Sequence, residues 1–307
     1  MKVIIKRTLE ETLRLTSIIL VILAGVAGGY VVGINCNHSN ATTFVKYLNE
    51  CLIIQHMAVF FLINGAILMI IVSSIASGLI AGEVHEGTIR LLVAKPNSRR
   101  SILLGKITGM LTGCIILMLM GLGVFFLTES YFGNFDGNVQ AGMLAYFPAY
   151  IMYGLIVIAF FSSLATLLSC LVKKKVIALL PMLFLMICIL ALPVIVRVVL
   201  MFSNQEGYPS PLLYGIDVNY HFGSLFKWCC DFCGGINGTS SQLDMPALLL
   251  NIFHSIDVDR DLTRTSQSTA LLLQNNIIPV TILLIVYGAL TVFNYLSSFV
   301  LISRKDV

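Results

Sequence analysis

The chain has 307 residues, of which 58% are hydrophobic and 11% charged, whereas a typical soluble domain has about 25% charged residues. Six long apolar stretches follow one another, each near the ~20 residues needed to cross the hydrocarbon layer, which excludes an ordinary globular protein. The net charge is +4, but 14 of the 19 Lys and Arg residues lie in segments expected in the cytosol. The positive charge therefore indicates membrane orientation and not a nucleic-acid partner.

These stretches predict an all-α polytopic membrane protein with a single transmembrane domain over residues 1–307. The predicted spans are residues 15–34, 55–81, 107–128, 146–172, 176–202 and 277–302. Lys173 to Lys175 form a tight basic turn, which places the connection between the fourth and fifth spans in the cytosol. Both termini are then cytoplasmic, and the amphipathic run before the first span is expected to lie along the inner membrane surface.

The first and third spans contain regularly spaced glycines. Small residues at such spacings let helix backbones approach closely in lipid, so these faces are expected to pack against other helices. The stripe in the third span is compatible with static packing and with sliding against a neighbour. The residues are Gly25, Gly28, Gly29 and Gly33 in the first span, and Gly105, Gly109 and Gly113 where the segment before the third span enters the membrane.

The outer connections are expected to be a loop from Asn35 to Glu50 and a short loop from Glu129 to Gln140, neither of which has a basic cluster. Three polar residues near or within spans are candidates for a substrate path. His56 and Asn64 mark such a path or form hydrogen bonds between helices, because polar groups in lipid are costly. Arg197 either extends to the outer surface or contacts an anion there.

The longest charged interruption between the early spans is the segment 82–106. Apolar residues recur at helical spacing from Val84 to Pro96, which predicts a short amphipathic helix. Glu86 and Arg90 are four residues apart and can form an ion pair, and Pro96 should end the helix. An ordinary solvated loop with a run of charges is the alternative.

The order of residues in this segment resembles the first cytoplasmic loop of type-2 ABC exporter permeases. The residues that carry the resemblance are Glu83, Gly87-Thr88, Leu91-Leu92, Pro96, Ser98-Arg99 and Gly105-Lys106. The resemblance implies that the amino-terminal run is an elbow helix, that the loop is a coupling helix seated in a groove of a separate ATPase subunit, and that a second copy or a related permease completes the pore. It implies ATPase-coupling roles for Glu83, Glu86, Gly87, Thr88, Arg90, Leu91, Pro96 and Arg99.

The segment 203–276 is expected outside the cell. Residues 244–256 begin with a capping Asp244 and a proline two residues later, which predicts a short helix too short to span the membrane. In type-2 permeases, short helices before the last span form an outer gate, and the resemblance makes this helix the candidate. Five cysteines on the outer side are candidates for disulfides of unassigned pairing: Cys36, Cys51, Cys229, Cys230 and Cys233.

The sequence lacks the usual signatures of catalysis. It has no phosphate-binding loop of the form G-x-x-x-x-G-K-[ST], no HExxH and no GxSxG, and no histidine or acidic pair in the spans is spaced for a metal. We therefore expect no catalytic residues, no metal and no bound cofactor in this chain. ATP and magnesium are expected on the partner ATPase.

Together these features predict the permease subunit of an ATP-driven exporter in a bacterial plasma membrane. An apolar bundle suits an amphipathic or lipid-like substrate, such as an antimicrobial peptide, a drug or a lipid. One alternative is a non-transporting receptor or immunity protein that binds a ligand through residues 203–276. Another is a membrane enzyme that uses Cys230 and Cys233 for thiol exchange.

Overall fold

A computed structural model of the chain describes residues 2–37, 44–87, 99–192, 195–196, 199, 211–233 and 278–304. Every regular element within these ranges is a helix, which confirms the predicted all-α class. In chain order the helices are α1 (Lys2–Thr12), α2 (Leu15–Asn37), α3 (Phe44–Ala58), a π segment (Val59–Ile67), α4 (Leu68–Gly78), α5 (Ala81–Glu86), α6 (Arg99–Gly133), α7 (Gly137–Leu144), α8 (Phe147–Leu171), α9 (Lys175–Leu190), α10 (Pro211–Ile216), α11 (Val218–Asp231) and α12 (Val280–Arg304).

Five stretches of the described chain are long and apolar enough to cross a membrane. They are Leu15–Cys36, Tyr47–Gly78, Arg99–Gly133, Gly137–Leu171 and Val280–Ser303. The predicted fifth crossing, residues 176–202, contains α9, whose 16 residues are fewer than a full crossing needs, and further helical residues among those described are Leu192, Ile195, Val196 and Val199. Six crossings therefore remain a prediction, because much of the chain after α9 lies outside the described residues.

Several predicted connections are helical instead. Helix α2 continues to Asn37 and α3 begins at Phe44, so most of the predicted loop from Asn35 to Glu50 is wrong. The predicted loop from Glu129 to Gln140 shrinks to three residues between α6 and α7. Polarity misled both predictions: Glu129 is in fact buried among helices, and hydrophobicity alone does not show where a helix ends.

Helix α2 packs along α6 through its glycines, as predicted. A Cβ atom on Gly29 would lie 2.5 Å from the carbonyl oxygen of Phe125, and one on Gly25 would lie 2.9 Å from that of Gly121. Real Cβ contacts are never so short, so the two backbones touch where side chains are absent. Close packing of this kind replaces the hydrophobic effect as the source of helix association in lipid.

The glycines at the start of α6 have a different partner, the amino-terminal helix α1. A Cβ on Gly109 would lie 2.7 Å from the carbonyl oxygen of Ile5, and one on Gly113 would lie 2.5 Å from the Thr12 methyl group. Helix α1 is therefore seated against the third span and not merely attached to the first.

Helix α11 is buried within the bundle although it belongs to the segment predicted to be extracytoplasmic. Asp217 caps it by accepting a hydrogen bond from the Tyr220 amide at 3.0 Å. Phe222, Leu225 and Phe226 are fully buried, and the helix packs against α8 and α12. The gate helix predicted at residues 244–256 lies outside the described residues.

The second span contains nine consecutive residues of π-helix, from Val59 to Ile67. π-helix is rare, is mostly confined to single turns and frequently marks functional sites. A Cβ on Gly65 would collide with the carbonyl oxygen of Phe60, so only glycine fits the wide turn at this position.

Candidate functional site

Basic residues gather at one end of the helical bundle. The amino ends of α2, α6 and α9 meet the carboxyl ends of α4 and α8 there, together with α1 and α5. The cations at this end are Lys2, Lys6, Arg7, Arg14, Arg99, Arg100, Lys106, Lys173, Lys174, Lys175 and Arg304. We call it the basic end of the bundle.

A buried ion pair joins the two sides of the predicted coupling loop at the basic end. Lys106 Nζ lies 2.5 Å from the Glu83 carboxylate, and the two side chains are only 6% and 11% exposed. Lys106 also donates a hydrogen bond of 2.8 Å to the carbonyl oxygen of Leu79. That bond satisfies a carbonyl just beyond the end of α4, which the helix itself leaves without a partner. The beginning of α5 and the third span are thus held together by charge.

The same turn is fixed to the fourth span by a serine. Ser169 Oγ in α8 accepts hydrogen bonds from the amides of Ile80 and Ala81, at 3.0 and 2.9 Å. These two amides lie at the beginning of α5, where amides have no partner within the helix. The turn that leads into the coupling loop therefore has contacts with α6 and α8 in addition to α4.

The predicted amphipathic helix is only partly visible. Helix α5 covers Glu83 and Glu86, and Gly87 ends it with φ +71°, a left-handed conformation that favours glycine. A single helix from Val84 to Pro96 is therefore wrong, because the chain turns at Gly87. Arg99 is the first residue of α6. The other predicted coupling residues, Thr88, Arg90, Leu91 and Pro96, lie outside the described residues, so the coupling roles remain predictions.

The two described candidates for a substrate path, His56 and Asn64, converge on one tyrosine. His56 Nδ1 lies 2.6 Å from the Tyr150 hydroxyl, and Asn64 Nδ2 donates to the Tyr150 carbonyl oxygen at 2.9 Å. All three residues are fully buried. Both candidates therefore form hydrogen bonds between helices, which was the alternative reading of the sequence. Arg197 lies outside the described residues.

This buried cluster contains polar atoms that form no hydrogen bond with the described residues. His56 Nε2, Asn64 Oδ1 and the hydroxyl of Tyr153 are buried without a hydrogen-bond partner in the described part of the protein. An unsatisfied buried polar group costs about 1–3 kcal/mol. Such a cost is offset where the groups bind a ligand or water during function.

An aromatic residue of α11 covers the cluster. The ring of Phe226 stacks on Tyr150 with centroids 6.0 Å apart and planes inclined by 7°, and it meets Tyr153 edge to face at 5.0 Å. His221 of the same helix bonds to the Tyr287 hydroxyl at 3.0 Å and to the Tyr214 carbonyl oxygen at 2.9 Å. Helix α11 thus holds an aromatic cap over the polar cluster and is itself tied to α10 and α12. Its sequence offered one signal, the capping Asp217.

Glu129 is a second feature that the sequence did not reveal. It is 1% exposed, and neither carboxylate oxygen has a hydrogen-bond partner within the described ranges. It lines a cavity of about 190 Å³ between α6 and α7, together with Phe126, Phe135 and Met143. An isolated buried carboxylate is expensive when ionised, so the neutral acid is favoured in this place.

All eight cysteines are free thiols in the structure, and the predicted disulfides remain predictions. The Cys36 and Cys51 thiols lie within hydrogen-bonding distance of each other, whereas Cys229, Cys230 and Cys233 follow one another in and just after α11. Burial raises the pKa of the Cys230 thiol, one of the two thiols in the enzyme alternative, well above its ordinary value. Thiol exchange needs the thiolate, so this environment does not favour the enzyme alternative.

The fold and the charged basic end define an α-helical integral membrane protein whose spans are joined at one face by a short charged segment. The model of the ABC-2 family transporter proteins matches residues 15–307, nearly the whole chain. The chain belongs to this family of membrane transport proteins and is an ABC-2 type permease. It matches no curated protein at a significant level.

Proposed function

We propose that the chain is the membrane-spanning subunit of an ATP-driven exporter and works with a separate ABC ATPase that binds the ATP and magnesium. The observation that carries the proposal is the buried pair of Glu83 and Lys106, which joins the two sides of the coupling segment. Family membership supports the transport role. The direction of transport, the ATPase and the substrate are parts of this proposal.

The contacts at the basic end support transmission of movement from the coupling segment into the bundle. A displacement of α5 acts on the third span through Lys106 and on the fourth span through Ser169. Charge-assisted bonds in a buried site are stiffer than exposed ones, because no water competes for the partners. ATP-driven closure of the ATPases would therefore tilt several helices together.

The excess of Lys and Arg at this end supports its placement in the cytosol, where the ATPase is found. Both chain termini would then be cytoplasmic. A second copy or a related permease would complete the path, and the exposed apolar faces of α9 and α12 are available for that copy or for lipid. Exposed residues on these faces include Phe184, Ile187, Ile285 and Phe293.

The central cluster supports an amphipathic or lipid-like substrate. Its walls are aromatic, while His56, Asn64 and Tyr153 offer a few unused polar atoms in the described chain. Sites for small molecules commonly combine apolar walls with a small number of convergent polar groups. Displacement of α11 with Phe226 would open the cluster to the outer side.

The coupling role is tested by charge reversal at the basic end. The tagged chain is purified from its native membrane with the proteins that accompany it, and ATP hydrolysis is measured for Lys106→Gln and for the swap Glu83→Lys/Lys106→Glu. We expect the ATPase to accompany all forms, Lys106→Gln to lose most of the stimulated hydrolysis, and the swap to recover part of it.

The exposed pair of Lys6 and Glu10 provides the matched control, because its atoms are 3.9 Å apart and both side chains are more than half exposed. Lys6→Gln should leave hydrolysis unchanged. The proposal would be refuted, and the receptor alternative supported, if no ATPase co-purified with the chain and if the Lys106→Gln variant still responded to a ligand.

A further inference from the structure

A polar cavity of about 260 Å³ opens at the basic end, between α1, the start of α2, the end of α4 and the first turns of α6 and α9. It is large enough for a phosphate group with its ester substituents. Its polar lining is dominated by cations and hydroxyls, among them Arg7, Arg14, Lys106, Lys175, Thr16 and Ser17.

Both acidic residues of the lining are already neutralised by neighbouring cations. Glu11 accepts a hydrogen bond of 3.0 Å from Arg7, four residues earlier on α1. Glu83 is paired with Lys106, as described above. The cavity therefore does not contain a free carboxylate among these residues that would repel an anion.

Two other cations of the lining are Arg14 and Lys175, which, unlike Arg7 and Lys106, form no ion pair with the described residues. No carboxylate of the described residues lies within ion-pair distance of either side chain, and the two are close enough to repel each other. Partial burial lowers the pKa of Lys175, and the positive charge of Arg14 lowers it further. An anion placed between two such cations removes their repulsion and gains two charge-assisted hydrogen bonds.

The local backbone also suits an anion. Helix α2 begins at Leu15, directly after Arg14, and two residues of its first turn, Thr16 and Ser17, line the cavity. Gly78 makes room on the opposite side, because a Cβ there would lie 3.3 Å from the Lys175 side chain. The cavity thus combines a helix amino end with two cations that form no ion pair with any carboxylate of the described residues.

We propose that this cavity binds a phosphate-bearing anion, with Arg14 and Lys175 as its ligands. The phosphate belongs either to the headgroup of an anionic phospholipid or to a soluble phosphate. The lipid source is favoured by the exposed apolar side chain of Leu15, 71% exposed, between the lining residues Arg14 and Thr16. Anion binding here requires no ATPase, so its failure and the failure of the proposed coupling are distinguishable.

The test measures retained lipid on the full chain purified in detergent. The protein is exposed to phosphatidylglycerol or phosphatidylcholine and the bound lipids are counted by native mass spectrometry. Arg14→Gln/Lys175→Gln is compared with Lys6→Gln/Lys173→Gln, which removes the same charge from exposed residues outside the cavity. We expect the first variant to lose phosphatidylglycerol affinity by roughly tenfold or more and the second to keep it.

A parallel arm measures thermal stabilisation by inorganic phosphate on the same three proteins, namely the wild type and the two double variants, and on the charge-conserving variant Arg14→Lys. Stabilisation of the wild type and of Arg14→Lys by phosphate, without lipid selectivity, would support the site and assign it to a soluble phosphate. If Arg14→Gln/Lys175→Gln does not fold, Arg14→Gln and Arg14→Lys carry the comparison. Equal losses in the cavity variant and its control, or no loss in either arm, would overturn the proposal.

Discussion

His56 and Tyr150 share a hydrogen bond of 2.6 Å in the interior of the bundle, where neither side chain reaches solvent. Replacing Tyr150 with Phe keeps the ring stacked on Phe226 but leaves Nδ1 of His56 without its hydrogen-bond partner among the described residues, as Nε2 already is. We expect the free energy of unfolding to fall by about 1–3 kcal/mol. Thermal unfolding in detergent measures the change, and Tyr131→Phe, at a residue 76% exposed, is the control that should show none.

The glycines of α2 should be far less tolerant than glycines that face open space. Gly29→Ala would place a Cβ against the carbonyl oxygen of Phe125 and force α2 away from α6, at a cost of about 1–3 kcal/mol. Gly123→Ala on α6 meets nothing within 4 Å and should be neutral or stabilising by up to about 1 kcal/mol. Equal effects of the two substitutions on the unfolding temperature would contradict the packing described here.

Removing only one charge of the Glu83–Lys106 ion pair should lower the free energy of unfolding more than removing both charges does. Lys106→Met leaves a buried carboxylate without its cation and should destabilise the protein by about 3–5 kcal/mol. Glu83→Gln/Lys106→Met removes both charges and should recover part of that loss. Chemical or thermal denaturation of the two variants and the wild type measures these free energies. If the double variant is destabilised by the sum of the effects of the single substitutions, the two side chains are not directly coupled.

The docking of α11 should weaken in mild acid. Burial lowers the pKa of His221, against the opposing effects of the Tyr214 carbonyl oxygen and the Asp217 carboxylate. A histidine with a depressed pKa is neutral in the folded protein, so its contribution is present above its unfolded pKa of about 6.5 and is lost as the pH falls below it. Wild-type protein should therefore lose more stability than His221→Gln between pH 7 and pH 5.

Coinciding stability profiles for wild type and His221→Gln would refute this pH dependence. The groups that face His221 are Tyr214, Asp217, Tyr220 and Tyr287. Of these only Asp217 carries a charge at neutral pH. Its effect favours the protonated histidine and therefore limits the size of the expected loss.

The sequence predicted the features that depend on local patterns. The spans and the glycine faces follow from hydrophobicity and small side chains, whereas the turn at Gly87 was missed because the apolar spacing on both sides of it suggested one helix. The sequence did not predict features that depend on distant residues meeting. Lys106 is 23 residues from Glu83 and looked like part of a basic loop, and Glu129 looked like part of an exposed outer loop, whereas it is buried beside the cavity between α6 and α7.

Helix α11 shows the same limit from another side. Its cysteines suggested an outer segment stabilised by disulfides, and its short apolar pattern did not reveal that Phe222 and Phe226 enter the bundle. A residue buried by tertiary contact and a residue exposed to lipid are both apolar. Periodicity therefore identified hydrophobic faces but not what each one touches.

A change of the π segment to α-helix would rotate one end of the second span relative to the other end. Each residue that changes from a π turn to an α turn would rotate the helix beyond it by the difference between about 100° per residue in an α turn and the smaller angle per residue in the wider π turn. His56 precedes the segment, Asn64 lies inside it, and both bond to Tyr150. A change of this stretch from π to α geometry would have to break at least one of those two hydrogen bonds. Tyr150 therefore holds the second span in its present rotation.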